Sequence, residues 1–177
     1  RSISQRIVIN RGSNDGLKLG NPIANDSGIL GQVIRIYDRS AEVSLLEDRD
    51  FAVPVQVARN GLRAAVFGAG RGNPLELRYL PVASDLEVGD VLITSGIDGV
   101  YPPGFAVAVI SRIERNADKN SSNVFCVPVA PVNRYRQALA LLYDPQWDAK
   151  ASTATSKPGA PLTNTPGRRQ TRARGMQ

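Results

Sequence analysis

The residue types that carry most hydrolytic and metal chemistry are scarce in this sequence. It contains no histidine, which removes a Ser-His-Asp or Cys-His arrangement, a histidine-ligated zinc and an imidazole pH switch. Its one cysteine, Cys126, allows neither an internal disulfide nor a cysteine cluster for a metal. Lying in an apolar run, Cys126 is expected to be a buried, inert thiol. The four lysines are Lys18, Lys119, Lys150 and Lys157, and none stands in Ser-x-x-Lys spacing. Glu47-Asp48-Arg49-Asp50 gathers three carboxylates without calcium-loop spacing, and it reads as a solvated turn. Gly68-Ala69-Gly70-Arg71-Gly72 has the look of a phosphate cradle, but such a loop needs a helix after it. Pro74 and the strand-like run Leu75–Leu80 follow instead, so a flexible linker is the reading. No catalytic residue, metal or cofactor is expected.

One segment has a different character. In Thr94–Phe105 (T-S-G-I-D-G-V-Y-P-P-G-F), Asp98-Gly99 marks a tight turn and Pro102-Pro103 stiffens the chain between Tyr101 and Phe105. A rigid loop bearing two aromatics suits a binding surface, since rings give large contact area at low entropy cost. The same rings could instead plug the open end of a barrel, and the sequence leaves both roles open.

The elements that must position these residues are short strands. The chain has 177 residues, 42% hydrophobic and 21% charged, with 16 glycines and 12 prolines spread along it. Arg6–Asn10, Gly28–Ile36, Glu42–Leu46 and Phe51–Val57 are β-branched runs. The turns between them are Ser13-Asn14-Asp15-Gly16, Asn25-Asp26-Ser27-Gly28 and Asn60-Gly61. In Phe51–Val57 the odd positions are large and apolar, which is period two with one face buried. Pro54 lacks an amide donor, so an edge or a bulge is expected there. No helix of eleven residues stands out, and over Asn133–Tyr143 a strand is favoured.

The formal charge of +6 is unevenly placed. Residues 148–177 carry six basic groups (Lys150, Lys157, Arg168, Arg169, Arg172, Arg174) against Asp148, a net +5. Residues 1–147 hold the other 16 basic and 15 acidic groups, a net +1. A nucleic-acid platform is expected to carry its basic stripe on the folded body, and this body is nearly neutral. The tail, rich in Ala, Ser, Thr, Pro, Gly and Arg, cannot bury enough surface to offset ordering entropy and is expected to be disordered. No apolar run approaches the roughly 20 residues that span a bilayer. A start at Arg1 rather than Met favours a fragment with any targeting segment upstream.

Four echoes join the two halves in the same order. Phe51-Ala-Val-Pro-Val recurs as Phe125-Cys-Val-Pro-Val, and Leu17-Lys-Leu-Gly-Asn as Leu86-Glu-Val-Gly-Asp. Val33-Ile-Arg-Ile recurs as Ile110-Ser-Arg-Ile, and Leu62-Arg-Ala-Ala-Val as Gln137-Ala-Leu-Ala-Leu. Displacements of 69 to 77 residues suggest a duplicated unit of about 70 residues. Short sheets without helices must close or pair to protect their edges. The expected fold is therefore all-β, two small six-stranded-type β-barrels in tandem followed by a disordered basic tail. The boundaries are 1–70, 71–147 and 148–177, with the domain junction in Gly68–Pro74.

The motifs V-I-N-R-G-S-N-D-G-L-K-L-G-N-P-I (Val8–Ile23), G-I-L-G-Q-V (Gly28–Val33), P-V-Q-V (Pro54–Val57), L-R-Y-L-P (Leu77–Pro81) and G-D-V-L-I-T-S-G-I-D-G-V-Y-P-P-G (Gly89–Gly104) resemble the rod shape-determining protein MreC family. The match runs in order from about Gln5 to Tyr143, and the Thr94–Gly104 piece is the most specific. The resemblance implies two periplasmic β-barrels, distantly chymotrypsin-like, of a protein anchored in the bacterial inner membrane by a single-pass segment missing here. It implies a non-enzymatic scaffold of the cell-elongation machinery that binds the class B penicillin-binding transpeptidase and MreD and links them to MreB and RodA. Homodimers or higher self-association are implied as well. Tyr101 and Phe105, flanked by Val100 and Pro102, are the expected partner-binding anchors, with Tyr79 and Leu80 second. The rival readings are a nucleic-acid-binding barrel module and a catalytically inactive protease-like relic.

Overall fold

β-branched runs broken by glycine and Asx turns fold as the alternation demands. The structure, a computed structural model, describes residues 5–81, 84–116, 121–130 and 137–143. All of these lie in one compact unit, Arg1–Pro145. Its strands are β1 (Arg6–Ile9), β2 (Pro22–Ala24), β3 (Ile29–Ile36), β4 (Ala41–Leu45), β5 (Ala52–Val57), β6 (Arg63–Phe67), β7 (Leu75–Arg78), β8 (Val91–Thr94), β9 (Ala106–Asn116), β10 (Ser121–Pro128) and β11 (Leu139–Ala140). A single 3-10 turn, Ser13–Asp15, is the one helical element among the described residues. No helix there is long and apolar enough to cross a membrane.

The strands form two bodies. β10-β7-β6-β5-β8-β9 close into a six-stranded barrel, and β1-β4-β3-β2-β11 make a five-stranded sheet. This corrects the expected partition at residue 70. The chain enters the barrel at Ala52, not after Gly72, and β11 returns to pair with β2 (Leu139↔Ala24) in the first sheet. Gly68–Pro74 is the β6–β7 connection inside the barrel, where Phe67 pairs with Glu76. Among the described residues the first sheet is not closed, so one barrel is seen rather than two. The expected tail at 148–177 lies outside the described residues.

The echoes are physical in two of the four cases. Leu17–Asn21 leads into β2 and Leu86–Asp90 into β8, and the same four hydrogen bonds recur in both. Gly20 N donates to Val33 O and Gly89 N to Ile110 O, while Val33 N returns to Asn21 O and Ile110 N to Asp90 O. Asn21 N and Asp90 N donate to Lys18 O and Glu87 O, whose own amides donate to the Asn21 and Asp90 side chains. Both glycines adopt positive φ, 84° and 98°, a turn that a side chain would strain. Each turn opens a bulged antiparallel hairpin, β2–β3 and β8–β9. The Phe51 and Phe125 echoes, by contrast, fall on β5 and β10 of the same barrel.

Phe51, Val53, Val55 and Val57 are buried as their period-two spacing predicts. They pack with Val66, Leu75, Leu77, Leu92, Val107, Ile110, Val124 and Cys126 in a filled barrel interior. Each large aliphatic side chain removed from water there is worth about 1.5–3 kcal/mol. A second cluster, Leu17, Ile23, Leu30, Val33, Ala41, Val43 and Ala130, lies under the five-stranded sheet. Pro54 is not on an edge, because β5 pairs with both β6 and β8. Its carbonyl accepts from Ser95 N, just past the end of β8, so its missing amide falls where that ladder stops. Sheet and barrel meet at Gly28, where a Cβ would overlap the Ala106 carbonyl and the Val129 side chain.

Candidate functional site

The Thr94–Phe105 segment, as expected, is a rigid loop, and one threonine fixes it. Thr94 is fully buried at the end of β8. Its backbone N donates to Phe105 O and its carbonyl accepts from Gly104 N. Its hydroxyl donates to Pro102 O and accepts from Phe105 N at 2.9 Å. At the loop tip the Asp98 carboxylate accepts from Val100 N and Tyr101 N, closing the Asp98-Gly99 turn.

This staple decides between the two roles left open for the rings. Tyr101 is 2% exposed and packs in the barrel core, so it plugs the barrel and presents no ring to a partner. Its hydroxyl has no hydrogen-bond partner among the described residues. Burial, with the Asp98 carboxylate acting the same way, pushes the phenol well above its ordinary pKa. Phe105 and Val100 are half-buried against the same core, and Pro102 is half-buried beside them. Tyr101 as a surface anchor is therefore corrected. In this loop the exposed large aliphatic side chain is Ile97, at 63%, which the sequence reading passed over.

Tyr79 and Leu80 part company. Leu80 packs against the core. Tyr79 is 78% exposed, with its ring edge-on to Phe67 at 5.7 Å between centroids. The Arg78 guanidinium stacks over Phe67 at 4.8 Å while its Nε and Nη2 donate to Glu76. Across the barrel wall, register sets Phe67, Glu76, Phe125 and Arg112 in one lateral row. Arg112 stacks over Phe125 at 4.4 Å and pairs with Glu114.

The charged groups serve structure. Arg59 Nε and Nη2 fork onto Asp90 Oδ1 and Oδ2 at 2.9 and 3.0 Å, and Nη1 reaches Asp85 at 2.8 Å. This ties the β5–β6 turn to the segment before β8. The Arg59 hydrogen bond, helped by the Glu87 amide and opposed by burial, holds the Asp90 carboxyl below its usual range, and Asp85 is lowered by the same guanidinium. The 47–50 acids form a turn, but Asp48 is buried rather than solvated, its carboxylate accepting from Gln5 N and Asp50 N. The Gly68–Gly72 loop packs on that turn through Gly70 N to Glu47 O and Arg49 Nε to Ala69 O. Gly68 is required because a Cβ would overlap the Asp48 carbonyl. Burial pushes the Cys126 thiol up to about 12. Among the described residues no three metal-ligating side chains gather.

Residues 1–141 match the family model described as rod shape-determining protein MreC, barrel core. The cell shape-determining protein MreC of Escherichia coli (strain K12) is 37% identical over 138 residues, covering 78% of this chain and 38% of its own length. The chain thus spans about two-fifths of the curated relatives it matches. The crystal structure of MreC from Pseudomonas aeruginosa aligns with a TM-score of 0.74 at 40% identity, covering 78% of this chain and 90% of that one. A more distant likeness, of fold alone, is to MreC from Helicobacter pylori, solved in a complex with the penicillin-binding protein PBP2 (TM-score 0.56, 16% identity, 67% of this chain and 74% of that one). The match of residues 1–141 to that family model places this chain in the MreC family.

Proposed function

We propose that this chain is the partner-binding part of a non-enzymatic scaffold in the bacterial cell-elongation machinery. It forms and maintains rod shape by binding and regulating the enzymes of peptidoglycan synthesis. The observation that carries the reading is the match of residues 1–141 to the MreC barrel core. The partner proposed is the class B penicillin-binding transpeptidase, by analogy with the complex named for the Helicobacter pylori relative. MreD, MreB, RodA and further copies of the chain complete the assembly that the family implies. The site of action is the periplasmic face of the inner membrane, with anchoring supplied by the single-pass segment of the whole protein.

To regulate the transpeptidase, the barrel must bind its active conformation more tightly than the inactive one, because equal affinity shifts nothing. Biolayer interferometry of the 177-residue chain against the transpeptidase's periplasmic part, at two salt concentrations, tests the reading. A single-stranded oligonucleotide serves as control. Saturable, weakly salt-dependent binding to the transpeptidase and none to the control is expected. Steeply salt-dependent binding to the oligonucleotide alone would replace the scaffold with a nucleic-acid module.

A further inference from the structure

Strand β7 alternates strictly until its last step. Leu75 and Leu77 point into the barrel, Glu76 and Arg78 point out, and Tyr79 is therefore due to point in. It does not. Tyr79 has φ 61°, the one positive φ at a non-glycine residue among those described, and its ring stands 78% exposed on the Arg78 side. The parity break lets Leu80 turn back to the core, and Pro81 follows. A turn of this kind asks only for left-handed backbone, which glycine supplies without strain and asparagine with little. A tyrosine there holds an unfavourable conformation and an unburied aromatic together. Strain of this kind at an exposed ring points to use of the ring.

We propose that Tyr79, with Phe67 and Arg78, is the anchor through which the barrel docks the penicillin-binding transpeptidase; the inference rests on the partner reading above and names the residues that carry it. The two rings meet edge to face at 64°, so together they present an aromatic corner on the barrel wall against which an aliphatic side chain can pack. Arg78 spends Nε and Nη2 on Glu76, and among the described residues its Nη1 has no hydrogen-bond partner. The complementary partner segment therefore offers an apolar side chain beside a carboxylate or backbone carbonyl. Arg78 and Arg112 are balanced by Glu76 and Glu114, so the patch has no net charge to attract a polyanion. Phe125 beneath Arg112 continues it across the wall, giving the partner a flat, partly apolar face.

The test uses the 177-residue chain as parent and as Tyr79→Gly, Tyr79→Asn and Val8→Ser variants. Val8 is a comparably exposed apolar residue, at 72%, on β1 of the five-stranded sheet. Each is measured for melting temperature and for binding to the immobilised periplasmic part of the transpeptidase from the same organism. Both Tyr79 variants are expected to melt no lower than the parent, because the strain is relieved, yet to lose affinity at least about tenfold, as a central aromatic anchor does. Val8→Ser is expected to bind like the parent. Parent-like binding by the Tyr79 variants, or an equal loss in Val8→Ser, overturns the anchor while leaving the partner reading standing. Absence of binding by the parent overturns the partner reading itself. Self-association that depends on Tyr79, without transpeptidase binding, would assign the patch to a second copy and overturn the occupant named here.

Discussion

Tyr101 offers the sharpest test of how the barrel is closed, because ring and hydroxyl make opposite contributions. The side chain is 2% exposed in the core cluster that also holds Leu92, Val107 and Ile110, and its hydroxyl finds no partner among the described residues. A buried hydroxyl left unpaired costs about 1–3 kcal/mol. Tyr101→Phe removes that cost and keeps the ring, so stability is expected to stay level or rise by about 1 kcal/mol, or roughly 3 °C in Tm for a unit of this size. Tyr101→Ala removes the plug and leaves a cavity at the loop end, with an expected loss of about 3–5 kcal/mol. Urea unfolding monitored by circular dichroism reads both variants on one scale. A loss of more than about 1 kcal/mol in Tyr101→Phe would mean that the hydroxyl is bonded in solution, and the plug argument would then be wrong. A harmless Tyr101→Ala would show that the ring does not sit in the core at all.

Other expectations concern the supports of the fold. Asp90 and Asp85 have folded pKa values lowered chiefly by Arg59, so their contribution is complete above the ordinary carboxylate value of about 3.9. It is lost as pH falls through the lower folded values, so Tm should drop steeply with acid and Asp90→Asn should flatten that drop. Gly31→Ala would drive a methyl into the Ser44 carbonyl across the β3–β4 pair, and a loss of about 3 kcal/mol is expected by denaturant melts. Cys126 is fully buried with its thiol pushed up to about 12, so it should resist a thiol reagent at pH 8 until denaturant is added.

Local order was largely legible. The alternation Phe51–Val57 gave the inward set of β5, and the Leu-x-x-Gly-Asn/Asp echo marked two turns that share their hydrogen bonds. Pairing across the chain was not legible, because adjacency in sequence does not reveal that β11 crosses back to β2 or that β5 joins β8. The duplication signal then placed the boundary about twenty residues late, since Phe51 and Phe125 echo each other within one barrel. Asp48 read as solvated because one of its carboxylate's two partners, Gln5 N, comes from the residue before β1, 43 positions away, while the other is Asp50 N. Of the aromatics, the sequence favoured Tyr101 over Tyr79 on loop stiffness alone. A parity signal was available in Leu77-Arg78-Tyr79-Leu80, since Leu77 and Leu80 cannot both face inward on an unbroken strand.

A scaffold of the proposed kind acts by favouring one conformation of the synthetic enzyme it binds. The most direct measurement of this action is the crosslinking rate of the purified transpeptidase as the chain is titrated in, alongside binding in the same buffer. A saturable change in rate whose midpoint matches the binding constant is predicted. Saturated binding with an unchanged rate would show equal affinity for both enzyme states and contradict the claim.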